Sequence, residues 1–255
     1  MNEHIHQARD GGVLTIRFNR PEKKNALTAD MYLALREALG IGESDPSIRV
    51  IRFTGSGDAF SSGNDLQDFL RHPPQDMNSP VMEFLSSLAA ARKPIIAAVN
   101  GLAIGIGTTL LLHCDAVDAA DSARFRLPFV SLALVPEAAS SLLLPRVIGH
   151  LRAAELLMLG DMFDAQQAQT MGLVNAVYPA DELDAKSLAR AQRLSQQPPD
   201  ALRLTKALLK QEPESVRARI EREAGYFIDR LGSDEAQEAL QAFLEKRQPD
   251  FSRFV

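Results

Sequence analysis

The 255-residue chain predicts a mixed α/β fold, and three observations carry that prediction. Apolar or alternating runs of strand length recur between segments with helical spacing. Two glycine-rich turns each join a strand to a helix. Beyond Gln196 to Pro199 the strands stop, and charged amphipathic helices follow. The expected organisation is a β and α core at 1–195 and a helical region at 196–255. Apolar residues make up 45% of the chain, so a sizeable core needs no covalent staple. The lone Cys114 has no partner for an internal disulfide and is expected to be a buried thiol. A net charge of −5 argues against nucleic acid as the main partner.

Val13 to Asn19 alternates apolar and polar residues, as a half-buried strand does; Gly11-Gly12 precede it and Arg20-Pro21 stop it. Leu27 to Leu39 has helical spacing, with Thr28 as N-cap. Ile48 to Thr54 is a strand closed by Gly55 to Asp58. Pro80 to Ala91 reads as an amphipathic helix and Ile95 to Val99 as a buried strand. A helix at Thr108 to His113 precedes short strands at Ala116–Ala120 and Ala123–Arg126. Val147–Leu159, Ala165–Met171 and Leu183–Leu194 read as helices, and Val174–Tyr178 as the last strand. Ala201–Lys210, Ser215–Arg230 and Asp234–Arg247 complete the helical region. His4 and His6 fall at a terminus expected to fray.

Pro94 to Leu112 carries no charged side chain, but Asn100, Thr108 and Thr109 interrupt it. It is expected to be a strand, turn and helix in the core rather than a membrane span. Neither terminus shows a targeting signal, so a cytoplasmic location is expected. P-loop, zinc-helix and nucleophile-elbow motifs are absent, and the histidines have no metal-ligand spacing. No metal site is expected.

Four features could carry chemistry. Asp58 to Leu66 and Asn100 to Gly107 are the glycine-rich turns, each leading from a strand into a helix. Main-chain N–H groups at a helix start are unpaired and partly positive, so two such turns brought together would give two donors to one oxyanion. Either turn alone reads first as a structural loop. Glu137 stands among apolar and small residues, where burial would raise its carboxyl towards a useful proton shuttle. Alone it reads first as a dipole-stabilised residue at a helix start. Arg17, Arg20, Lys23 and Lys24 form a basic cluster that reads as a solvated loop or as a phosphate contact.

Taken together these segments resemble the crotonase, or enoyl-CoA hydratase/isomerase, superfamily over nearly the whole chain. Asn19 to Leu27 is similar to its first CoA-binding segment, Ala59 to Leu66 and Lys93 to Gly101 to its oxyanion-hole regions, and Phe243 to Phe251 to its C-terminal signature. The resemblance implies a crotonase-like spiral of ββα turns with a C-terminal helical trimerisation region. It implies an acyl-CoA thioester as ligand and a homotrimer or dimer of trimers. Coenzyme A would enter as part of the substrate, with no further cofactor. The implied oxyanion donors are the main-chain N–H groups of Asn64 and Ile106. Lys24, Ala26, Ser62, Asp65 and Leu66 fall where the family holds adenine and pantetheine. Lys246 and Phe251 fall where a neighbouring subunit reaches the phosphate end.

Hydratases of this superfamily use two glutamates, and the matching positions here are Thr109 and Phe129, neither acidic. Glu137 matches the single glutamate of members that shift double bonds, and Pro136 to Ser141 resembles monofunctional Δ3,Δ2-enoyl-CoA isomerases. The expected reaction is 3-enoyl-CoA to 2-enoyl-CoA, with Glu137 as the proton carrier. Phe129, Leu134 and Ile106 would line a dry acyl pocket, with Arg71 to Ser79 as part of its wall. The alternatives are a hydratase, or another acyl-CoA lyase or hydrolase on the same scaffold, and a non-catalytic acyl-CoA binder.

Overall fold

In the computed structural model, which describes residues 2–210 and 233–254, successive strand pairs feed two separate sheets. Strand β3 (Val50–Gly55) is followed by β4 (Ala59–Ser61), β5 (Ile95–Val99) by β6 (Leu102–Ile104), and β7 (Ala116–Ala120) by β8 (Arg124–Arg126). The first member of each pair joins a six-stranded sheet and the second a four-stranded sheet. Helices close each turn: α2 (Leu66–Arg71) and α3 (Pro80–Ala90) after β4, α4 (Ile106–Thr109) after β6, and α5 (Ser140–Ile148) and α6 (His150–Leu159) after β8. This is the expected spiral of ββα turns. Pairing between turns is parallel, Ile51 opposite Ile95 and Ile96 opposite Ala116, as crossover connections require.

The chain enters the larger sheet through β1 (Ile5–Asp10), antiparallel to β2 (Val13–Phe18). Helix α1 (Ala29–Ser44) then lies across the sheet, with Met31, Tyr32, Leu35, Ala38 and Leu39 buried. Thr28 caps it by accepting from the Met31 N–H at 3.3 Å. After β9 (Phe163–Asp164) and α7 (Ala165–Met171), β10 (Ala176–Tyr178) closes the large sheet beside β7. Helix α8 (Leu183–Ser195) covers its other face, and Arg52, buried in β3, reaches Ser187 at 3.2 Å and Asp184 at 2.5 Å.

Helix α9 (Pro199–Leu209) is tied to the core by Lys206, which is 5% exposed and donates to Lys93 O at 2.6 Å and Asp115 at 2.7 Å. Lys93 in turn donates its buried Nζ to Gly42 O at 2.6 Å and Asp45 O at 2.7 Å, closing the end of α1. Helix α10 (Asp234–Glu245) follows. The helix expected at Ser215–Arg230 lies outside the described residues.

The sequence reading needs three corrections. His4 and His6 do not fray. His4 Nδ1 lies 3.3 Å from Asn19 O, and His6, in β1, pairs with Arg17. The helix expected at Val147–Leu159 is two helices, because Gly149 takes φ 83°, a conformation that breaks the helix and favours glycine. The basic cluster is also divided. Arg17 bonds Gly55 O and Asp184, and Arg20 bonds Asp65 and Ala26 O, leaving Lys23 and Lys24 as the exposed members. No helix among the described residues is long and apolar enough to cross a membrane.

Candidate active site

Strands β4 and β6 are parallel neighbours, with Ser61 opposite Ala103, so the two glycine-rich turns leave the same sheet edge side by side. Their backbones nearly touch. A Cβ on Gly63 would lie 3.0 Å from Ile104 O, and one on Gly107 would lie 2.5 Å from Ser61 O. Any larger residue at Gly107 would push the turns apart. The first turn is tied to the Lys24 loop by Ser62 N–H donating to Lys24 O at 2.9 Å and by Leu27 N–H donating to Gly63 O at 2.8 Å. Ile106 is the first residue of α4, whose opening N–H groups have no helical partner. Among the described residues, no acceptor takes the main-chain N–H of Asn64 or of Ile106.

Glu137 stands before α5 in a loop with unusual backbone. Ala133, Ala138 and Ala139 take φ of 56°, 53° and 55°. A non-glycine residue held there costs about 1–3 kcal/mol and persists only where surrounding contacts fix it. Ser140 fixes the loop with its N–H and its hydroxyl, both donating to Glu137 O, at 2.9 and 2.7 Å. His113 fixes it too: its Nε2 lies 2.9 Å from Ala138 O. Burial pushes the His113 ring below its ordinary pKa, which favours the neutral imidazole that can donate this bond.

The Glu137 carboxylate is partly buried, and its Oε1 accepts from the Thr109 hydroxyl at 2.6 Å. Burial raises its pKa above the ordinary carboxylate value, and the Thr109 bond opposes that shift without cancelling it. Thr109 is one turn along α4 from Ile106, so the Thr109 bond ties the Glu137 carboxylate to the short helix that carries the Ile106 N–H. Tyr32 completes the cluster. Its phenol, 3% exposed, donates to Asn64 Oδ1 at 2.5 Å, and its pKa is raised by burial and by the charge of Glu137.

Asn64, Ile106 and Glu137 are thus brought to one place, and Ala26, Ser62 and Lys24 form the ledge beside Asn64. Asp65 is engaged elsewhere, capping α2 through the Gln67 and Asp68 N–H groups and pairing with Arg20 at 2.7 Å. Lys24 is exposed and paired with Asp58 at 2.6 Å. Leu66 is exposed. Ile106 and Phe129 are buried in the main core, whereas Leu134, whose N–H donates to Phe129 O at 2.9 Å, is half exposed. A cavity of about 420 Å³ opens beside Tyr32 and Leu27, with Phe69, Pro73 and Val81 on its apolar side and Asp68, Asp76 and Asn78 on its polar side. His72 to Asp76, with Asn78 and Ser79, supply much of that lining.

Phe251 packs beside Arg49, Gly12 and Ser195, at the start of β2 and β3. The Lys24 ledge lies at the other end of these strands, about 20 Å away for six residues of strand. Within one chain, Phe251 therefore does not approach the ledge. Lys246 is exposed beyond the end of α10.

Sequence reasoning missed Tyr32, Asn25 and His113. Asn25 is fully buried, takes φ 56°, and donates to Ser56 O at 2.9 Å and Ala59 O at 2.7 Å, joining the Lys24 loop to β4. Each is a single polar residue in an apolar or loop context. Burial would demand a partner for it, but the pattern names none.

Three comparisons bear on this arrangement. The enoyl-CoA hydratase/isomerase family model matches residues 8–253. The chain is 35% identical to enoyl-CoA delta isomerase 3, peroxisomal, of Mus musculus, covering 93% of this chain and 77% of that protein. It is also 35% identical to 2,3-dehydroadipyl-CoA hydratase of Escherichia coli (strain K12), covering 96% of each. It spans only 62% of enoyl-CoA delta isomerase 2 of Rattus norvegicus, at 36% identity. A solved structure, a putative enoyl-CoA hydratase/carnithine racemase from Magnetospirillum magneticum AMB-1, superposes with a TM-score of 0.96 at 46% identity, covering 99% of this chain and all of that one.

Proposed function

The chain belongs to the enoyl-CoA hydratase/isomerase family, and within that family we propose that it shifts a carbon–carbon double bond, converting a 3-enoyl-CoA into a 2-enoyl-CoA. The observation that carries this reading is the lone acid. Glu137 is a partly buried carboxylate tied through Thr109 to α4, and the main-chain N–H groups of Asn64 and Ile106 have no acceptor among the described residues. The positions that resemble the hydratase glutamates hold Thr109, bonded to Glu137, and Phe129, buried in the core. Adding water across a double bond needs one group to activate the water and another to protonate the α-carbon. Moving a proton from C2 to C4 needs one.

The thioester oxygen accepts from the Asn64 and Ile106 N–H groups. The Glu137 carboxylate removes a proton from C2, and the electron pair spreads over the dienolate to the oxygen. The neutral carboxyl then returns its proton at C4, restoring the carboxylate and leaving a 2-enoyl thioester. Nothing is gained or lost overall, and neither step calls for a metal or redox group. The acyl tail enters the cavity beside Tyr32. Lys24 exchanges Asp58 for a phosphate of coenzyme A, with Ser62 and Ala26 on the pantetheine side. A neighbouring copy brings Lys246 and Phe251 to the phosphate end, in a homotrimer or dimer of trimers.

The second reading is hydration, or another acyl-CoA reaction on the same scaffold, and it is favoured by the hydratase among the relatives. The discriminating assay offers 3-enoyl and 2-enoyl thioesters side by side, following the conjugated thioester and the 3-hydroxyacyl product. Formation of 2-enoyl-CoA without hydration supports the proposal. Hydration of the 2-enoyl substrate with the 3-enoyl substrate inert overturns it, and tight binding with no chemistry on either marks a binder.

The pH dependence has a definite sign. Glu137 works as a base only when ionised, and burial raises its pKa. Activity is therefore expected to fall as pH drops through a value above the ordinary carboxylate range. A kcat/KM profile whose acid limb lies at or below that range would contradict the assignment.

A further inference from the structure

We propose that Thr109 is a positioning residue for the proton shuttle: its hydroxyl holds Glu137 Oε1 and leaves Oε2 as the oxygen that visits the substrate carbons. The inference rests on Glu137 being the base. Thr109 is fully buried, and its hydroxyl lies 2.6 Å from Oε1. A hydroxyl has one proton to donate, so this bond commits it to the carboxylate. The β-branched side chain is stiff at χ1, and the Thr109 N–H is itself held by Gly105 O at 2.9 Å.

The rest of Glu137 is held from below. Ser140 fixes its carbonyl and His113 the next one, at Ala138. With the backbone pinned at two points, the end of the side chain is the part left to order, and Thr109 orders it. A glutamate that must reach two carbons in one turnover gains most from a fixed pivot, since misplacement by about 1 Å can cost a hundredfold in rate. The other titratable groups facing this loop are Tyr32 from α1 and His113 from the short helix Leu110–His113. Tyr32 is committed to Asn64, and His113 faces Ala138 O; neither donates to the Glu137 carboxylate.

The test compares Thr109→Val and Thr109→Ser with the wild-type chain in 3-enoyl-CoA turnover across pH, with thermal melting recorded for each. Thr109→Val keeps the shape and loses the hydroxyl. Its kcat is expected to fall roughly ten- to a hundredfold, the loss of one hydrogen bond to a charged group, with KM little changed. Its acid limb should move up by about one pH unit, because the ionised form has lost its donor. Thr109→Ser should restore both. A Thr109→Val enzyme with unchanged kcat and acid limb overturns the inference, as does a Thr109→Ser enzyme no better than Thr109→Val. Glu137→Gln in the same assay separates the two claims. An active Glu137→Gln removes the base assignment and this inference with it, whereas an inactive Glu137→Gln beside an unaffected Thr109→Val removes this inference alone.

Discussion

Glu137→Gln is expected to bind acyl-CoA and lose double-bond migration by about 10²–10⁴-fold, the usual worth of a positioned acid–base group. Glutamine keeps the shape and keeps an oxygen for the Thr109 hydroxyl, so the strained loop has no new reason to move. The loss should not come from unfolding. In the folded protein the Glu137 pKa is raised. The native state therefore holds this proton more tightly than the unfolded chain does. Any stability from that proton is fully present below the unfolded pKa and is lost as pH rises through the folded one. At neutral pH the wild-type chain bears the cost of a partly buried charge that glutamine does not. Thermal melts should therefore show Glu137→Gln at least as stable as wild type at neutral pH, with any advantage vanishing in acid. Full turnover by this variant would remove Glu137 from the mechanism.

Ile106→Pro tests the oxyanion donors with almost the same leverage. Proline is tolerated at the first position of a helix, where its missing N–H would be unpaired in any case. Ile106 holds that position in α4, and the preceding Gly105, at φ 55°, has no Cβ to clash with the ring. The substitution therefore removes one donor while leaving the turn able to form. Loss of one such donor costs about 2.7–4 kcal/mol of transition-state stabilisation, or roughly 10²–10³ in kcat. Ile106 is 1% exposed, so some core packing is lost as well. Ile106→Val is the control: it keeps the N–H, costs about 0.5–1.5 kcal/mol of stability, and should retain activity. If steady-state kinetics show Ile106→Pro as active as Ile106→Val, the thioester oxygen does not bind there.

Elements with a strong period were readable from the residues. The alternation of β2, the apolar run of β5 and the capped helix α1 each satisfy one local rule, and each occurs where that rule places it. Strand β1 escaped because five of its six residues are exposed, so an edge strand showed no buried stripe. Strands β4 and β6 escaped because each is three residues long and lies within a segment read as a glycine-rich turn, and their pairing spans some forty residues of sequence.

The site divides in the same way. The two turns and Glu137 are marked by residue type, and resemblance arranged them in one centre. What ties them together is carried by side-chain bonds between distant residues: Thr109 to Glu137, Tyr32 to Asn64, His113 to Ala138. No spacing rule encodes such pairs. The same limit hid where the Asp65 carboxylate goes, to Arg20 and the start of α2.

The most direct measurement is a crystal structure with an unreactive acyl-CoA bound. The thioester oxygen is expected within hydrogen-bond reach of both the Asn64 and Ile106 N–H groups. The Glu137 carboxylate is expected against C2 and C4 on one face of the acyl chain, with the Thr109 bond intact. A thioester docked away from these turns, or a Glu137 side chain turned from the acyl carbons into solvent, would contradict this mechanism.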